Sequence, residues 1–145
     1  MRGIAGGVSV LDDFGHHPTA IRETLRALRI KYPHQKVWAI FEPRSNTTRR
    51  NVFQTELAES FGDADAVVVS QVARLEQLPA EQRLSPEKLM TDLKAAGKQA
   101  AYLSDVDAIV SHVAQNAQGG EVVCVFSNGG FGGIHTKLLE RLGRR

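Results

Sequence analysis

Five short, almost uninterrupted apolar runs punctuate the chain: Val8 to Leu11, Val37 to Phe41, Ala66 to Val69, Ala100 to Leu103 and Val122 to Phe126. Runs of this length without polar alternation suit strands covered on both faces, as in a parallel sheet. Between them apolar residues recur at helical spacing: Ile21, Leu25 and Leu28; Phe53, Leu57 and Phe61; Leu89, Leu93 and Ala96; Val106, Ile109, Val110 and Val113. Strands joined by crossover helices return to one sheet in the right-handed sense. The chain is therefore expected to be α/β, a doubly wound, mainly parallel sheet with helices on both faces. The pattern leaves the strand order open.

Local signals agree with these boundaries. Pro18 and Pro86 stand at first-turn positions, the latter after Ser85, and Ser104 precedes Asp107 by three residues as in a capping box. The 145 residues fit a single domain, 1–145, and a domain of that size buries roughly 68–70% of its unfolded surface. The lone Cys124, inside an apolar run, reads as a small buried hydrophobe, and no disulfide framework is possible. Eighteen basic and 16 acidic residues give a net charge of +2, scattered rather than striped, which speaks against a nucleic-acid partner. Residues Met1 to Gly7 form neither an apolar signal region nor a transit peptide, and no apolar run approaches the ~18 residues of a membrane span. A cytoplasmic protein without a membrane partner is expected.

Three polar segments follow strands and so fall where open α/β sheets place ligands. The first is Asp12-Asp13-Phe14-Gly15-His16-His17-Pro18-Thr19. One of its carboxylates can reach over the sheet edge to a ribose hydroxyl pair or a cation while the other caps the next helix; the plainer reading is two capping acids. A phosphoacceptor receiver domain would need Asp and Lys where Ser70 and Ser127 stand. His16 and His17 are adjacent, so their rings diverge, and no nearby partner completes a metal set. His16 instead precedes a helix start, where unpaired N–H groups favour an anion or polar ligand.

The second segment, Phe41 to Arg50, packs Arg44, Asn46, Thr47, Thr48, Arg49 and Arg50 behind Glu42, donors suited to carboxylates or phosphates unless the loop is simply solvated. The third, Ser127 to Gly133, carries four glycines that let backbone N–H groups approach a ligand. It fits no dinucleotide fingerprint, and the chain has no phosphate-binding loop of the G-x-x-x-x-G-K-[ST] kind. Gln71 to Ser85 is longer than the usual connection of ~2–6 residues and offers Arg74, Glu76 and Arg83 as contacts. Trp38 reads as core, His112 as lying on the polar side of its helix, and His34 as part of a connector.

Together the three segments resemble the C-terminal domain of the Mur ligases, ATP-dependent amide-forming enzymes of peptidoglycan assembly. The turn Asp12 to Pro18 looks like that family's Asp-(Tyr/Phe)-x-His-x-Pro signature. Phe41-Glu42-Pro43-Arg44-Ser45-Asn46-Thr47 and Ser127 to His135 look like the member that joins UDP-N-acetylmuramate to the recycled tripeptide L-alanyl-γ-D-glutamyl-meso-diaminopimelate. The likeness runs from residue 8 to residue 142.

It implies a Rossmann-like domain whose UDP-binding and central ATPase domains are absent from this chain, and an isolated domain that is inactive. It also implies an acyl phosphate made with ATP and Mg2+, both bound mainly by the central domain, and peptidoglycan recycling as the setting. By motif, Asp13 and Asp12 are implied at the ATP ribose and His16 at the interdomain site. Arg44, Asn46, Arg49, Ser127, Asn128 and Gly130 are implied at the incoming substrate, with no catalytic residue or metal ligand within this domain alone. Where the diaminopimelate-adding relative has Asp-Asn-Pro-Arg, this chain has Ser70-Gln71-Val72-Ala73. Two alternatives stay open: the C-terminal domain of the L-alanine-adding ligase, and a non-catalytic module that binds a nucleotide or small acid.

Overall fold

The computed structural model describes residues 2–15, 17–43, 51–72, 75–127 and 130–144. Six strands form one sheet: β1 (Gly3–Ala5), β2 (Val8–Asp13), β3 (Val37–Phe41), β4 (Ala66–Ser70), β5 (Gln99–Leu103) and β6 (Val122–Phe126). Their order across the sheet is β1-β2-β6-β3-β4-β5, and every pairing is parallel except that of β1 with β2. Five α-helices intervene: α1 (Pro18–Lys31), α2 (Gln54–Ser60), α3 (Pro86–Ala95), α4 (Val106–Asn116) and α5 (Ile134–Gly143). No helix among the described residues is long and apolar enough to cross a membrane.

Handedness explains where the helices lie. From β2 through β5 the chain advances in one direction across the sheet, so right-handed crossovers put α1, α2 and α3 on one face. The step from β5 back to β6 reverses direction, and α4, with α5 beside it, covers the other face. Two apolar layers result. Ile21, Leu25, Leu57, Phe61, Leu89 and Leu93 pack on Val37, Ala39, Phe41, Val67, Val69, Cys124 and Phe126. Ile109, Val113, Ile134, Leu138 and Leu142 pack on Val8, Val10, Trp38, Ile40, Val68, Val123 and Val125. Neighbours along each central strand thus serve opposite layers, the period of two that a pleated strand imposes.

β1 is an element that the sequence reading leaves out. Gly6 and Gly7, with φ of 57° and 80°, form the two-residue turn that folds Gly3–Ala5 back on β2, a conformation matched to the right-handed twist of hairpins. Two expected caps are also corrected. α4 starts at Asp105, whose Oδ1 accepts from Ala108 N at 2.7 Å, rather than from a box built on Ser104. The N-cap of α1 is His17, not one of the two aspartates. Ser85 does cap α3, its Oγ accepting from Lys88 N at 3.2 Å, but Ala96 is exposed beyond that helix and its apolar stripe ends at Leu93.

The connection 71–85 folds over itself. It makes 3-10 turns at Leu75–Gln77 and Ala80–Gln82 and buries Val72, Leu78 and Leu84. Arg83 donates through Nε to Leu78 O at 2.8 Å, so its guanidinium braces the loop's own backbone. Trp38 is core as expected, with Nε1 donating to Glu121 Oε1 at 2.8 Å. His112 departs from a purely solvated position: its ring stands edge-on to Trp38 at 5.9 Å, and burial, then Lys36, holds its pKa below the ordinary value.

Candidate functional site

Insertion of β6 between β2 and β3 brings the starts of all three polar segments to one sheet edge. Asp13, Phe126 and Phe41 stand in register at the strand ends. The ladder then continues one residue further, with Ser127 N donating to Asp13 O and Glu42 N donating to Phe126 O, each at 3.1 Å. Ser127 Oγ donates to Glu42 Oε1 at 2.6 Å, so the exits of β6 and β3 are joined by side chains as well as backbone. That the three segments share one edge follows from their places after parallel strands; that they are immediate neighbours there depends on a strand order that local patterns do not encode.

Asp12 and Asp13 point to opposite faces. Asp13 shares the parity of Leu11 and turns toward α1: its Oδ1 accepts from Gly15 N at 2.6 Å and its Oδ2 from Thr24 Oγ1 at 3.0 Å. A carboxylate has about four acceptor positions, so these two bonds fix Asp13 and leave lone pairs for a further donor. Gly15 is required there, since a Cβ at that position would lie 2.7 Å from Asp13 Oδ1.

Asp12 shares the parity of Val8 and Val10 and turns toward α5. Its Oδ1 lies 2.9 Å from Nε2 of His135, and Arg2 Nε is 3.7 Å from its Oδ2. The His135 contact has the distance of an ion pair without the alignment of a hydrogen bond. Behind burial, the charges of Asp13 and Asp12 push the Cys124 thiol up, which leaves it unsuited to thiolate chemistry.

Around this edge the other segments are tied in. His17 Nδ1 accepts from Thr19 N at 3.4 Å, and its ring packs edge-on against Phe53 at 4.8 Å, linking the Asp12–Thr19 segment to the 3-10 turn Asn51–Phe53. Gln54, almost fully buried, accepts from Ser85 N at 2.8 Å and donates to Ser85 O at 3.0 Å, fastening the end of the 71–85 connection. At the third segment Phe131, Gly132 and Gly133 follow one another in the left-handed region, with φ of 47°, 58° and 70°. Phe131 is the one non-glycine residue so placed among the described residues, and its ring is buried. Such backbone persists only where its surroundings hold it.

Of the residues singled out in the sequence, Asp12, Asp13 and Ser127 meet at this edge, and Gly130 opens the left-handed turn that leads into α5. His16, Arg44, Asn46, Arg49 and Asn128 lie outside the described residues, as does Arg74. Glu42, Thr24 and His135 join the site although the sequence reading gave them no role. His135 did carry a signal: it closes the Ser127–His135 stretch on which the resemblance rests. Among the described residues no group of three or more His, Cys, Asp or Glu side chains is placed to hold a metal ion.

A family model described as "Mur ligase, glutamate ligase domain" matches residues 1–129. The UDP-N-acetylmuramate--L-alanyl-gamma-D-glutamyl-meso-2,6-diaminoheptandioate ligase of Escherichia coli (strain K12) is 42% identical over 146 residues, which cover 100% of this chain and 30% of that protein. The chain thus spans less than a third of the length of this curated relative. Among solved structures, a murein peptide ligase from Psychrobacter arcticus superposes with a TM-score of 0.82 at 34% identity, over 99% of this chain and 29% of that one. A crystallised domain from Haemophilus ducreyi gives a TM-score of 0.74 at 36% identity, over 97% of this chain and 95% of that one.

Proposed function

We propose, from the premise that this chain belongs to the Mur ligase family as its C-terminal domain, that it serves a murein peptide ligase. That enzyme would join the carboxylate of UDP-N-acetylmuramate to the amine of L-alanyl-γ-D-glutamyl-meso-diaminopimelate at the expense of ATP. The observation that carries the reading is the 42% identity, along the whole chain, to a ligase named for that substrate pair.

In this reading the UDP-sugar, Mg2+ and most of the ATP are bound by N-terminal and central domains outside this chain. The C-terminal domain closes over them, excludes water from the acyl phosphate and presents the amine. Asp13, fixed by Gly15 and Thr24 with acceptor capacity to spare, takes a ribose hydroxyl. His16 contacts phosphate or substrate, and Arg44, Asn46 and Arg49 supply donors to the incoming carboxylates. Ser127, Asn128 and Gly130 line the amine substrate, with Ser127 oriented by Glu42.

The test is ATP-dependent phosphate release by the full-length ligase with UDP-N-acetylmuramate, with and without the tripeptide. Release that requires tripeptide is the expected result, and the 145-residue chain alone should release none. Release with L-alanine in place of tripeptide would assign the chain to the L-alanine-adding ligase. Silence with either amine would leave a binding module.

A further inference from the structure

We propose that His135 is a positioning residue which, through Asp12, locks the left-handed turn at residues 130–133 to the end of β2 and so holds the two sides of the site in one register.

The turn holds the one non-glycine residue in the left-handed region among the described residues, Phe131. Within it Gly133 N donates to Gly130 O at 3.1 Å and Ile134 N to Phe131 O, the Phe131 ring is buried, and Gly132 is pressed so close to α4 that a Cβ there would meet Val106 Cγ2 at 3.0 Å. His135 follows two residues later in the first turn of α5, only 6% exposed, and among the described residues the carboxylate within ion-pair distance of its Nε2 is that of Asp12. Asp12 is held from the other side by Arg2, just before β1. One carboxylate thus joins the approach to β1, the end of β2 and the start of α5. Asp13, one residue on and facing the opposite layer, is left for the nucleotide, so the paired acids have divided roles: Asp13 binds and Asp12 positions. The division of β2 parity makes this unavoidable, since two adjacent strand residues cannot both turn to the same face.

The structural part is tested on the 145-residue chain by amide hydrogen exchange. His135→Phe keeps a ring but loses the nitrogen that faces Asp12, and the amides of residues 131–134 should exchange about tenfold faster, the scale of one lost polar contact to a carboxylate. His135→Gln, whose amide nitrogen sits near the place of Nε2, should restore protection to within about twofold of the original. Should His135→Phe fail to fold, Asp12→Asn takes its place, with the same acceleration expected. Unchanged exchange in that variant, or in a folded His135→Phe, overturns the proposal, as does a His135→Gln variant no better protected than His135→Phe.

The kinetic part rests on the function proposed above. In the full-length ligase His135→Phe should raise the KM of the amine substrate severalfold with kcat little changed, and His135→Gln should recover it. A protein that uses L-alanine instead of tripeptide would refute the substrate assignment alone, and KM would then be read with L-alanine. An unaltered KM in His135→Phe would refute the positioning role alone.

Discussion

Asp13 is the residue whose environment most restricts what it can do. Both oxygens are engaged by donors that keep the side chain in one rotamer, Gly15 N and Thr24 Oγ1, and neither donor carries a charge that would consume the carboxylate's own. If that carboxylate takes a ribose hydroxyl, Asp13→Asn in the full-length ligase should weaken ATP by the worth of a charge-assisted bond, about 1.5–3 kcal/mol, seen as a KM for ATP raised roughly ten- to hundredfold. Gly15→Ala tests the same point without touching the carboxylate. The new methyl would contact Asp13 Oδ1 and force it out of place, so ATP should weaken in that variant while the KM of UDP-N-acetylmuramate stays level. An Asp13→Asn enzyme with an unaltered KM for ATP would remove Asp13 from the nucleotide site.

Elements, unlike single residues, were legible in proportion to how far their signals are local. β3 and β6 fall where the unbroken runs put them, because a fully buried parallel strand writes its own pattern. The proline-led helix starts were equally plain. What could not be read was the placement of β6 between β2 and β3, which is the product of the long return from β5 and decides that Asp13, Ser127 and Glu42 meet. β1 escapes for a different reason: Gly3-Ile4-Ala5, a glycine and two apolar residues, looks like a tail until the Gly6-Gly7 turn is recognised. His135 escaped because an isolated histidine in an amphipathic helix gives no sign of a partner 123 positions upstream.

The opposite edge of the sheet carries a contact between elements that can be tested by pH. Arg29 of α1 donates to Asp65 Oδ2 at 2.7 Å and to the carbonyls of Gln35 and Asp63, while the same Asp65 oxygen accepts from Val37 N at 2.8 Å. Burial alone would raise the Asp65 carboxyl, but the Val37 N–H and the Arg29 guanidinium outweigh it and hold it below its ordinary 3.8. The stabilisation is therefore complete above 3.8 and is lost as pH falls through the lower, folded value. Asp65→Asn should lower Tm at pH 7 by about 2–4 °C, the scale of a solvent-screened pair, with the gap closing in melts taken progressively below pH 4. A gap that persisted undiminished in acid would show that charge at Asp65 is not what binds α1 to the starts of β3 and β4.

On the scale of the whole molecule, the two apolar layers are not separable bodies. Val37, Ala39 and Phe41 belong to the layer under α1, α2 and α3, and Trp38 and Ile40 to the layer under α4 and α5, so β3 cannot leave one without opening the other. β4 and β6 are divided in the same way. The chain has a single tryptophan, and it reports from the α4–α5 side, with its ring buried and its Nε1 bonded to Glu121. Far-UV circular dichroism sums the helices of both faces. Urea unfolding of the isolated chain should therefore give one transition, with the same midpoint by Trp38 fluorescence and by dichroism, and full recovery on dilution. A fluorescence change that ran ahead of dichroism would mean that α4 and α5 peel away first. The strand end at Asp12 would then lose its hold on α5 before the sheet itself failed, and the edge that carries the site could not be treated as one rigid surface presented to the rest of the ligase.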